Sequence, residues 1–62
     1  MSWIDWAIFV AELIKFIVIH LPKMGYEAAR SLAFETVSTR HGIDIGELEA
    51  HCGSTIDEHF GK

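Results

Sequence analysis

A chain of 62 residues makes at most one domain, and its lone cysteine, Cys52, excludes an intramolecular disulfide. Nine acidic residues against five Lys and Arg leave a net charge of −4. That balance speaks against sequence-independent binding to nucleic acid, which needs clustered cations, and against simple adhesion to anionic lipid. Half of the residues are hydrophobic, too many for a disordered chain, and a lone cysteine fits a reducing compartment such as the cytoplasm.

Residues 3–21 read WIDWAIFVAELIKFIVIHL, an apolar run interrupted by Asp5, Glu12, Lys15 and His20. At helical spacing Asp5 and Glu12 nearly eclipse each other, with Lys15 on one side and Ser2 and His20 on the other. The polar arc is then roughly 140° wide and leaves over ~200° apolar, whereas a surface helix needs only a little more than ~100°. The pattern predicts a helix from residue 2 or 3 to residue 20, stopped near Leu21 because the residue before Pro22 avoids the α region. Glu12 and Lys15 stand at i,i+3 and can pair. The acidic Asp5, Glu12 and the internal Lys15 do not fit a secretory signal.

The run falls just short of a ~30 Å hydrocarbon core. Glu12 and Lys15, at about 2.5–3.5 kcal/mol each near a bilayer centre, offset what the large apolar residues contribute at about −0.3 to −0.6 kcal/mol each. A membrane crossing is therefore not expected. An interfacial helix, with Trp3 and Trp6 at the headgroup boundary, is the alternative, although its polar face lacks the usual Lys and Arg.

Three further elements are expected. Tyr26, Ala29, Ala33 and Val37 repeat at helical spacing, flanked by Leu32 and Phe34, which predicts a helix over 26–41 with Gly42 as its left-handed C′ residue and Ile43 closing the cap. Asp44 with Glu47 three residues on predicts a capped helix over 45–52 with Ile45, Leu48 and Cys52 facing one way, ended by Gly53. Thr55 with Glu58 predicts a last helical turn around 56–60. The fold class is all-α: one long hydrophobic N-terminal helix followed by two or three shorter helices. The organisation is a single small helical domain, 1–62, made of an association helix (1–21) and a helical hairpin with a short C-terminal turn (22–62).

Chemistry-bearing clusters are sparse. His41, His51, Cys52 and His59 lack the paired spacing of a structural zinc site, and the adjacent His51 and Cys52 point about 100° apart on a helix, so they make a poor nucleophile–base pair. The glycines sit singly, without a phosphate-binding loop. No metal, cofactor or catalytic residue is expected, and the chain does not read as an enzyme. Residues 35–53 resemble a helix-turn-helix in outline. A DNA reader carries Arg, Lys, Asn or Gln on its second helix, whereas this one offers Glu47, Glu49 and His51.

Large apolar area at the amino end outruns what Leu32, Phe34, Val37, Ile43, Ile45, Leu48, Ile56 and Phe60 can cover, and domains this small usually need oligomerisation or another staple. The expectation is a small, non-enzymatic interaction protein, accessory or regulatory, that forms a homo-oligomer or binds a protein partner through Trp3, Trp6, Ile8, Phe9, Leu13, Phe16, Ile17 and Ile19. A membrane-surface protein using the same helix, and an acidic regulator docking on a basic protein surface, are the competing readings.

Overall fold

The computed structural model describes residues 2–62, and the described chain is helical without strands. It contains two helices, α1 (Trp3–His41) and α2 (Ile45–His59). At ~1.5 Å per residue an unbroken α1 would be about 58 Å long, yet the greatest extent of the molecule is 32 Å. The difference is made at Gly25, whose backbone (φ 81°, ψ 170°) is not helical. Only glycine occupies that region at little cost. The chain doubles back there, giving a first arm (3–24) and a second arm (26–41) that run antiparallel. Glu12 of the first arm consequently meets Arg40 and His41 at the far end of the second.

The helix thus continues through Pro22 instead of ending near Leu21. Proline removes the amide that would reach back four residues, but its fixed φ is itself helical. The expected stop arrives one turn later, where glycine permits the reversal. What reads in sequence as a separate second helix is the second arm of α1.

The amino end of α1 is held by Ser2, whose backbone N–H and hydroxyl both donate to Asp5 Oδ2, at 3.2 and 3.3 Å. At the other end Gly42 is left-handed, as expected (φ 66°, ψ 36°). The Ile43 N–H donates to the Ser38 carbonyl at 3.0 Å, and the Ile43 side chain is buried. Asp44 caps α2 as predicted, accepting the Glu47 N–H at 3.1 Å.

Gly53 does not end α2, and the separate turn capped by Thr55 does not exist; the helix runs on to His59. Gly53 is buried because a polar side chain crosses over it. A Cβ there would collide with the Glu49 carboxylate and lie 3.1 Å from Arg30 Nη2. The glycine serves a close approach, not a termination.

The core is a single cluster at the junction of the three segments. Phe9, Leu13 and Ile17 come from the first arm, Ala29, Ala33, Phe34 and Val37 from the second, Ile43 from the loop, and Leu48, Cys52 and Ile56 from α2. Ala29 and Ala33 are fully buried, and their small size lets the helices approach closely. Leu32 and Ile45, expected to help cover the first helix, point outward instead. Leu32 lies beside the 29–33–37 stripe rather than on it, and Ile45 sits at the first position of α2.

Candidate interaction surface

The first arm has two apolar faces, and α1 and α2 use only one. Phe9, Leu13 and Ile17 recur every fourth residue and lie at 5%, 0% and 0% exposure in the intramolecular core. About 180° away on the same helix lie Ile4, Ile8, Val18 and Ile19, each roughly half exposed, with Trp3 beside them at 77% exposure. The second face is centred on Ala11 and Lys15, both exposed.

The eight residues expected to form an association seam therefore part company. Phe9, Leu13 and Ile17 pack within the chain. Trp6 and Phe16 sit at the margin: Trp6 stacks on His51 with ring centroids 4.1 Å apart, and Phe16 lies tilted against His20 at 4.5 Å. Trp3, Ile8 and Ile19 face outward. Ile4 and Val18 join them, although sequence reasoning did not single them out. The spacing 4–8–11–15–18, alternating steps of four and three, was the available signal.

Lys15 forms no ion pair among the described residues. Its expected partner Glu12 turns instead to the second arm, where its carboxylate lies 3.1 Å from His41 Nε2 and 3.4 Å from Arg40 Nη1. Lys15 is thus a lone cation in the middle of the outward apolar stripe.

A second cluster joins the second arm to α2. The Arg30 guanidinium reaches across to α2. Its Nε donates to Asp57 Oδ1 at 2.8 Å, its Nη1 to Glu49 Oε2 at 2.9 Å, and it lies 4.5 Å from the centre of the Phe34 ring. The Tyr26 hydroxyl donates to the same Asp57 oxygen at 2.6 Å. Hydrogen bonds donated to Glu49 first, and then to Asp57, hold Arg30 more firmly protonated than usual despite its partial burial. Burial first, and then the bond to Asp57, raises the Tyr26 phenol. The bonds from Tyr26 and Arg30 lower the Asp57 carboxyl. Every group in this cluster is engaged with another, so it acts as a clamp between the second arm and α2.

No protein-family model, curated protein or solved structure matches the chain.

The remaining sequence candidates are scattered. His41 serves Glu12, His51 lies on Trp6, and His59 lies against Phe60 at 5.0 Å. No group of three or more His, Cys, Asp and Glu residues converges to hold a metal among the described residues. Cys52 is fully buried, and burial first, then the charge of Glu49, pushes its thiol pKa up. A thiol so placed is kept from the thiolate form that nucleophilic chemistry needs. No helix among the described residues is long and apolar enough to cross a membrane.

Proposed function

We propose that this chain is a small, non-enzymatic helical protein, resident in the cytoplasm, whose first arm provides an association surface for another protein chain. The observation that carries this reading is the outward stripe of Trp3, Ile4, Ile8, Val18 and Ile19, exposed while the opposite face of the same helix is fully spent on the core. A Trp with two χ angles loses little entropy on docking and offers on the order of 150–250 Å² of contact. The acidic-regulator reading is weakened because Arg30 occupies Glu49 and Asp57, two of the acidic side chains it would need.

Light scattering tests the proposal with the wild type and an Ile8→Lys/Val18→Lys variant. Both positions are exposed, so the substitutions spare the core. The wild type should show a mass above 7.0 kDa at high micromolar concentration and the variant the monomer mass, with matching helical circular dichroism. A wild type that is monomeric and indistinguishable from the variant overturns the reading. Flotation of the wild type with vesicles, lost in the variant, would transfer the face to a lipid surface and overturn it too.

A further inference from the structure

We propose that the occupant of this face is a second copy of the chain, lying antiparallel, with Lys15 of each copy seated over Ala11 and beside Glu12 of the other. The inference rests on the reading of the first arm as an association surface and goes on to name the partner and its register.

Positions 4, 8, 11, 15 and 18 alternate in steps of four and three, the repeat of a two-helix seam. The stripe they form is exposed along its length. Its apolar members stand at the ends, Ile4 and Ile8 on one side and Val18 with Ile19 on the other. Its middle holds the smallest residue, Ala11, and the one cation, Lys15. Reversed on itself, the stripe sets Ile8 against Val18 and Ala11 against Lys15, so one patch serves both copies, as an interface about a twofold axis requires.

Charge selects the direction. In a parallel pair Lys15 would face Lys15, placing like charges in contact at the centre of an apolar seam. In the antiparallel pair, layers form between Ile8 and Val18 and between Lys15 and Ala11. The lysine stem then covers the alanine and its ammonium comes level with Glu12, the next residue along. Glu12 is only partly buried; Arg40 and His41 share its Oε1, while its Oε2 meets His41 Nε2 alone, at 3.1 Å, and a carboxylate oxygen with one neighbour has lone-pair room for a further donor. A single polar residue at such a seam position commonly sets register and orientation at some cost in stability. A membrane surface fits less well, because helices that bind one carry several cations beside their apolar face, whereas this stripe carries Lys15 alone.

The test is cross-linking of the full chain at low micromolar concentration under mild oxidation. Ile8→Cys and Val18→Cys proteins are oxidised separately and as an equal mixture, the native Cys52 being buried. The mixture should yield a disulfide between positions 8 and 18, identified by peptide mass. Each protein alone should stay uncrosslinked, since like positions would lie about 15 Å apart along the seam, far beyond the ~7 Å Cα limit of a disulfide. Lys15→Glu should weaken dimerisation at least tenfold, and Lys15→Leu should strengthen it. Disulfides between like positions, equal amounts of all pairings, or a Lys15→Glu protein that dimerises as well as the wild type would each overturn the antiparallel arrangement, while a dimeric wild type still left the association surface standing. A wild type that stays monomeric at high micromolar concentration overturns both.

Discussion

Arg30 Nε and Asp57 Oδ1, from residues 27 apart in sequence, lie 2.8 Å apart and fasten the second arm of α1 to the last turns of α2. Arg30 is largely buried, its partners less so. Because water reaches the carboxylates, the clamp is worth less than a fully buried pair. Arg30→Ala should therefore destabilise the fold by about 1–2 kcal/mol, seen as a lower urea midpoint. Arg30→Lys should recover only part of this, since an ammonium cannot fork between Glu49 and Asp57. An unchanged midpoint for Arg30→Ala would mean that the contact is decorative.

The same clamp predicts an acid limb. Hydrogen bonds from Tyr26 and then Arg30 hold the Asp57 carboxyl below its ordinary value. A group whose pKa is lowered in the folded state contributes fully above its unfolded pKa, and the contribution is lost as pH falls through the lowered folded value. Asp57→Asn should thus be less stable than wild type at pH 7, and the two should converge below about pH 4. Urea titrations at pH 7 and at pH 2–3 check this. A gap that persists at the lowest pH would locate the effect of Asp57 in packing instead of charge.

Local signals were readable in the sequence where a side chain acts on its own neighbourhood. Asp44 with Glu47, and Gly42 followed by Ile43, mark helix ends by short-range geometry, and both stand where expected. Pro22 and Gly53 misled because their usual meaning depends on what packs against them. Pro22 lies in the last turn before a reversal that belongs to Gly25, and Gly53 makes room for Arg30. The grouping of Tyr26, Arg30, Glu49 and Asp57 joins residues up to 31 apart and leaves no local trace. The two-faced character of the first arm was partly visible in its wide apolar arc. Which half would face the core was set by the antiparallel second arm, and that depended on where the chain turned.

Burial of Cys52 predicts its reactivity. The thiol is inaccessible and its pKa is raised, so alkylation by a small maleimide at pH 7.5 should be slow and should accelerate in parallel with unfolding as urea is added. An alkylation rate at zero urea equal to that of the denatured chain would show that α2 opens independently of the arms. Raising the pH should also cost stability once the unfolded thiol begins to ionise, because the contribution of a group with a raised folded pKa is complete below its unfolded pKa and is lost as pH rises through the folded one.

Gly53→Ala sets two effects against each other. Alanine gains up to about 1 kcal/mol in helix propensity, but its methyl must displace the Glu49 carboxylate from Arg30. The displaced group is the end of a flexible side chain, so the backbone need not move and the cost is the lost ion pair. The decisive measurement is a double-mutant cycle. Glu49→Gln should destabilise the wild type and leave Gly53→Ala nearly unchanged, whereas equal effects in both backgrounds would show that the methyl is accommodated elsewhere.

Gly25 gives the most stringent test of the fold, because the strain there is purely conformational. A Cβ built on Gly25 meets nothing within 4 Å, while its φ of 81° is one that L residues avoid. Gly25→Ala should accordingly cost about 1–3 kcal/mol. The mirror-image residue at the same place should do the reverse. Chemical synthesis of the chain with D-alanine at position 25 puts that residue near its own extended region and narrows the unfolded ensemble, for a gain of about 0.4–1 kcal/mol. Thermal melts of the two alanine proteins should fall on opposite sides of the wild type. If both fall below it, the arms are held by something other than the backbone of Gly25.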